Sequence, residues 1–155
     1  MMKAQHIEQL LLTAKYPDRL TLDFQITVFG DIVKIYTEHE DLTKCWCMEF
    51  QQCVEVTYTT IRKAWRGHKD ESGEWIRNDY EKTFDQYDGY ALGYFAQDIT
   101  VSEYEEDDFL RECGYVKCSF QLSMMEGYIV CKDVLLTELS REDITFYWEQ
   151  ARSES

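Results

Sequence analysis

The sequence predicts an α+β domain: a predominantly antiparallel β-sheet, open or partly closed, with a helix at the N-terminus and another at the C-terminus. Three observations carry that prediction. Apolar and polar residues alternate over several segments, the period of two that marks a half-buried strand. Connections between these segments are short, with no crossover helices of the kind parallel pairing requires. Apolar residues at helical spacing occur only near the two ends of the chain.

The first element covers residues 4–15. Ile7, Leu10, Leu11 and Ala14 recur at helical spacing, and Pro17, the only proline, ends the helix. Leu20, Leu22, Phe24, Ile26 and Val28 then alternate strictly with Thr21, Asp23, Gln25 and Thr27, which predicts a strand with one buried and one wet face. Gly30 and Asp31 supply a turn, and residues 32–36 begin the return strand of a hairpin. Beyond the polar stretch 38–41, Trp46, Met48 and Phe50 alternate on one strand, and Val54, Val56 and Tyr58 on the next.

Residues 59–81 read as a long hairpin with its tip at residues 70–73. Its arms carry Arg62, Lys63, Arg66, Lys69 and Arg77, with Trp65 and Trp75 on either side of the tip. Strand texture resumes over residues 90–102. After an acidic break, Val116, Cys118, Phe120 and Leu122 alternate, and Gly127 opens a second run through Ile129, Val130, Val134 and Leu136. Ser140 and Asp143 resemble a capping box, and Ile144, Tyr147, Trp148 and Ala151 supply the apolar face of a closing helix. No repeat or linker divides the chain, so residues 1–155 are expected to form a single domain.

Composition excludes several function classes. An apolar fraction of 45% with 15% aromatics suits a packed domain rather than a disordered chain. No run of about 18 apolar residues predicts a transmembrane helix, and the N-terminus lacks the basic and apolar regions of a secretory signal. Cys45, Cys47, Cys53, Cys113, Cys118 and Cys131 are expected to be reduced thiols, most of them in the core, which implies a reducing compartment; the expectation is a bacterial, cytoplasmic protein. Cys45-x-Cys47 with Cys53 and His39 does not match the paired spacing of a structural zinc site, and on a strand it puts both thiols on one face. His6, His39 and His68 stand in no motif with a nucleophile, the last two reading as exposed loop residues, and no glycine-rich phosphate loop is present. The expectation is a protein with no catalytic residues, no cofactor and no metal.

Charge is the unusual quantity. Thirty acidic residues against sixteen basic ones give a net −14. Such a field repels nucleic acid and anionic membranes, and speeds encounter with a basic partner. It gathers at Asp98, Glu103, Tyr104, Glu105, Glu106, Asp107 and Asp108, with no basic residue before Arg111. Tyr87, Asp88 and Tyr90 lie just upstream, and Asp79, Glu81 and Asp85 extend the acidic character. A solvated loop is the ordinary meaning of such a run. Beside tyrosines, which are favoured interface anchors, it also reads as a face for a basic protein.

The functional expectation is therefore an immunity or antitoxin-type inhibitor that caps the cationic active site of a basic toxin domain, such as a nuclease. Two alternatives share the composition. A phage-encoded nucleic-acid mimic acting on a host defence enzyme would spread its carboxylates, whereas this chain has one dense run and a basic patch at residues 62–69. A small-ligand-binding β domain or enzyme would need polar residues at inward strand positions, which read as apolar.

Overall fold

A computed structural model describes residues 2–60, 68–76, 97–122, 125–147 and 149. Helix α1 (Lys3–Leu12) is followed by strands β1 (Thr21–Ile26), β2 (Ile32–Glu38), β3 (Lys44–Gln51), β4 (Glu55–Thr60), β5 (His68–Lys69), β6 (Trp75–Ile76) and β7 (Asp98–Glu103). A short helix, α2 (Asp108–Glu112), precedes β8 (Val116–Leu122), β9 (Met125–Cys131) and β10 (Asp133–Ser140). Every strand pair among the described residues is antiparallel. One sheet has the order β1-β2-β3-β10 and the other β4-β9-β8-β7, while β5 and β6 form a separate hairpin. Neither four-stranded sheet closes on itself.

The two sheets are joined by one bent ribbon. β3 pairs with β10 as far as Gln51 opposite Asp133, and β4 pairs with β9 from Glu55 opposite Val130. Both strands of the ribbon therefore change sheets within a few residues. Gln52, in the left-handed region at φ 53°, turns one of them. Lys132 N donates to Gln51 O at 3.1 Å and Val54 N to Val130 O at 2.9 Å, which carries the ladder around the corner. The run expected from Gly127 to Leu136 is thus two strands on two sheets. Hydropathy conceals the break because Val130, Cys131 and Val134 are buried on both sides of it.

The main core lies between the sheets. Ile35, Met48 and Phe50 of the first face Val116, Cys118 and Ile129 of the second, all fully buried. Each such side chain is worth about 1.5–3 kcal/mol of transfer free energy. α1 contacts both β7 and β10, the edges left open on one side, and inserts Ala4, Ile7 and Leu11 there. Leu10, expected on that face, is exposed instead, and Ala4 takes its place. On the opposite seam Phe24 of β1 meets Tyr58 of β4 and Phe120 of β8, with ring centroids 5.6 Å apart in each case.

β1 corrects the expectation of one buried face from Leu20 to Val28. Thr21 pairs with Thr37 but Asp23 pairs with Tyr36, so Leu22 is an extra residue in a β-bulge. The bulge flips the strand: Leu20 and Leu22 face a second cluster, while Phe24 faces the main core. Val28 is 91% exposed at the hairpin tip. The second cluster holds Tyr36, Cys45 and Cys47 on the outer face of the first sheet, under Phe146. The inward positions are not wholly apolar either, since Thr21, Thr37 and Gln97 are buried and Gln97 Nε2 donates to Tyr16 O at 3.0 Å.

The C-terminal helix expected from Ser140 does not start there. Ser140 is the last residue of β10, and its hydroxyl accepts from Glu142 N at 3.3 Å to cap a 3-10 turn over Arg141–Asp143. Only Tyr147 and Glu149 are helical among the described residues that follow, and residues 150–155 lie outside them. The hairpin tip near residue 70 does form: Lys69 pairs with Trp75, and Asp70 Oδ1 accepts from Ser72 N and Glu74 N at 2.9 and 3.0 Å. Arg62, Lys63, Trp65, Arg66 and Arg77 lie outside the described residues, as do residues 90–96. All six cysteines are free, with Cys45, Cys47, Cys118 and Cys131 buried. No helix among the described residues is long and apolar enough to cross a membrane.

Candidate functional site

The acidic run begins on β7, an edge strand whose Ile99 and Val101 face the core while Asp98, Thr100 and Ser102 face outward. Six residues of strand extend about 17 Å, so Asp98 stands well apart from the carboxylates beyond residue 103. Glu103 is committed locally. Its Oε1 accepts from Ala4 N at 2.9 Å, where a carboxylate also suits the positive end of α1. Lys3 Nζ, donating to Gly114 O at 2.7 Å, fastens the same end of the helix.

Asp107 is a helix cap. Its Oδ1 accepts from Leu110 N at 2.9 Å and starts α2, which the sequence reading treated as part of a polar break. Asp108, in the first turn of α2, pairs with Arg111 at 3.1 Å. Glu105 and Glu106 remain exposed, and no cation among the described residues pairs with either. Tyr87, Asp88 and Tyr90, together with Asp79, Glu81 and Asp85, lie outside the described residues.

Tyr104 links this corner to the sheet behind it. Its N donates to Tyr115 O at 3.1 Å. Burial pushes its phenol above the ordinary range, and the charges of Glu106, Glu55 and Asp107 add to the effect. Glu55 of β4 is thus a further carboxylate of the same corner, which the sequence reading missed. The Tyr128 hydroxyl lies 2.5 Å from Glu55 Oε1, and Lys117 Nζ sits 4.3 Å from the centre of the Tyr128 ring. These three residues occupy outward positions of adjacent strands, so only the strand register reveals that they are neighbours.

A second polar site lies at the other end of α1. His39, expected to be an exposed loop residue, has only 14% of its side chain accessible. It stacks on Trp46 with centroids 4.9 Å apart and planes at 19°. Asp41 N donates to His39 Nδ1 at 2.9 Å, which leaves the proton on Nε2, 2.9 Å from Glu138 Oε1. His39, Trp46 and Glu138, with Glu40, Thr13, Ala14 and Lys15, line a cleft of about 220 Å³. The Lys15 ammonium lies 2.6 Å from Glu40, and Arg19 lies 3.6 Å from the same oxygen. That hydrogen bond and charge from Lys15 hold the Glu40 carboxyl below its usual range.

Among the described residues no group of three or more His, Cys, Asp or Glu side chains is arranged to hold a metal ion. Comparison with known proteins adds one result. A family model described as Immunity protein PIM7 matches residues 3–138. The match takes in both sheets, the acidic corner and the cleft, and it stops short of Phe146. No curated protein matches the chain.

Proposed function

The chain belongs to the immunity protein PIM7 family, and from that premise we propose a non-catalytic inhibitor that binds a basic toxin domain and caps its cationic active site. An immunity role implies a toxin partner. The net charge of −14 supports the basic character of that partner, because opposite fields steer the two proteins together and raise the rate of capture. A toxin that acts on an anionic substrate such as nucleic acid needs a cationic site, and carboxylates presented on a rigid surface can occupy it. The inhibitor would act in the cytoplasm, where such a toxin meets its substrate.

The proposed face centres on Glu105 and Glu106, exposed between β7 and α2, with Tyr104, Glu55 and Tyr128 beside them. Asp98 and Asp108 are assigned to its margins, and Tyr87, Asp88 and Tyr90, outside the described residues, remain proposed partner-binding residues on the sequence alone. Glu103 and Asp107 contribute charge there but also hold α1 and α2 in place. The observation that carries the reading is the family match, with Glu105 and Glu106 exposed at one corner and unpaired with any cation among the described residues.

The test uses a toxin domain that the protein inhibits and the double variant Glu105→Lys/Glu106→Lys, which spares both helix caps. Stopped-flow association should slow by at least about tenfold, and its dependence on salt should flatten. An association rate and affinity equal to those of the unaltered protein would remove this corner from the interface.

A further inference from the structure

We propose that the cleft formed by Lys15, His39, Glu40, Trp46 and Glu138 is a receptor for a cationic side chain, with the arginine guanidinium as the best fit. The source of that side chain, the toxin domain, rests on the immunity reading above; the chemistry of the cleft does not. At about 220 Å³ the cleft suits a single side chain, since cofactor and drug-sized ligands occupy roughly 300–1,000 Å³.

Three groups in it suit a planar cation. Trp46 and His39 line the cleft as a stacked aromatic pair, the His39 ring covering one face of the indole and fixing its orientation. Glu138 gives one carboxylate oxygen to His39 Nε2 and has no other ionic partner among the described residues. Glu40 is ionised and already draws two cations, the Lys15 ammonium and the Arg19 guanidinium, to one of its oxygens. An arginine can satisfy carboxylates with its fork of donors while its plane stacks on an aromatic ring, which a lysine cannot do. An anion would meet two carboxylates, and the cations nearest to it, Lys15 and Arg19, are already paired with Glu40.

The site is also preorganised. Asp41 N sets the His39 tautomer, His39 sets Glu138, and both are held before any ligand arrives. Lys15, at the rim, keeps a left-handed backbone at φ 53°, a conformation costly for a residue with a side chain. Its ammonium sits on Glu40, where it occupies part of the place an incoming cation would take. α1 spans about 15 Å, and its first turn is held by Glu103 while Thr13, Ala14 and Lys15, just past its last turn, line the cleft. A standard interface of about 800 Å² per partner covers that distance, so one toxin domain can reach both the acidic corner and the cleft.

The test needs no toxin. N-acetyl-arginine amide is titrated into the whole protein while NMR follows the Trp46 indole N–H and the His39 ring protons. N-acetyl-citrulline amide serves as the neutral isostere. Saturable binding of the arginine probe in the millimolar range is expected, with citrulline at least about tenfold weaker. Glu138→Gln keeps an acceptor for His39 but removes the charge, and should weaken arginine binding at least about tenfold. Lys15→Met removes the competing ammonium and should tighten it several-fold. No shift with arginine, or equal shifts with the two probes, overturns the assignment. Glu105→Lys/Glu106→Lys should leave arginine binding within about twofold. Loss of toxin binding in that double variant, alongside an inert cleft, would sink the cleft alone. A responsive cleft in a protein whose toxin binding ignores the double variant would sink the acidic corner alone.

Discussion

The phenol of Tyr16 stands where the peptide of a neighbouring strand would stand for Ile99: its oxygen accepts from Ile99 N at 3.0 Å and donates to Ile99 O at 3.2 Å. β7 is an edge strand, and edges leave main-chain groups unpaired. Here one side chain, placed by the left-handed turn at Lys15 and by Pro17, closes the edge beside α1. Tyr16→Phe keeps the ring and removes the oxygen, which leaves a buried donor and acceptor unpaired at about 1–3 kcal/mol each. The expected loss is about 2–4 kcal/mol in urea denaturation with an unchanged slope. Faster exchange of the Ile99 amide should accompany it. A wild-type midpoint would mean that water replaces the phenol at little cost.

Gly127 allows β4 and β9 to approach more closely than any other residue would permit. A Cβ there would lie 1.9 Å from Thr57 O and 2.7 Å from Tyr58 Cα. β4 cannot easily retreat, because Phe24 packs against Tyr58 and Phe120, the two cross-strand neighbours of Gly127. Gly127→Ala is therefore expected to cost at least about 3 kcal/mol, in the class of severe steric substitutions. Ser119→Ala, on an exposed position of β8, should stay within about 0.5 kcal/mol of wild type. Thermal melts of the two variants decide the matter, and similar melting temperatures would show that the strands can separate freely.

Much of the fold was legible because one side of each strand meets a core. The alternation in Val116, Cys118, Phe120 and Leu122 reports β8 directly, and Gly30 marks the β1–β2 turn. What stayed hidden are places where both sides are buried. The bulge at Leu22 flips β1 from the outer cluster to the main core, and hydropathy reads the same before and after it. The corner at Lys132 passes unnoticed for the same reason. Phe146 was assigned to a helix because its neighbours recur at helical spacing, yet the first part of that segment lies extended. In the acidic corner the run itself was plain, but Glu103 and Asp107 spend their charge on helix ends, a role fixed by geometry. His39, Trp46 and Glu138 are brought together by strand pairing across most of the chain, beyond the reach of any local motif.

Stability should fall at alkaline pH in two stages. Burial pushes the Cys53 thiol from 9.0 up to about 12, and burial with the neighbouring Cys47 pushes the Tyr36 phenol from 10.0 up to about 12. Both groups are held protonated in the folded protein, so their contribution is complete below the unfolded values. It is then lost as pH rises toward the folded ones. Urea midpoints under reducing conditions should be flat up to pH 9 and decline between pH 9 and 12. Cys53→Ala should remove one share of the part that begins near 9.0, to which Cys45, Cys47 and Cys118 also contribute, and Tyr36→Phe one share of the part that begins near 10.0, to which Tyr16 also contributes. A flat profile to pH 12 would contradict the buried, protonated state of both.

Phe146 is the cover of the outer cluster, and it lies beyond residues 3–138, which the family model matches. Its ring meets Tyr36 edge-on at 5.3 Å and carries the Arg141 guanidinium at 4.7 Å, while Arg141 pairs with Glu149 at 2.8 Å. Beneath it Cys45 has no accessible surface. Removing a fully buried phenylalanine costs about 3–5 kcal/mol when the whole fold must absorb the loss. This segment can instead lift away locally, since the main core between the sheets does not include it. Phe146→Ala should therefore shift the global urea midpoint only modestly. Thiol labelling of Cys45 and Cys47 should nevertheless accelerate at least about tenfold, while Cys118 and Cys131 in the main core stay protected. Peptide mapping of the labelled protein separates the two pairs. Equal acceleration at all four thiols would mean global opening, and no acceleration at Cys45 would mean that something other than Phe146 shields it.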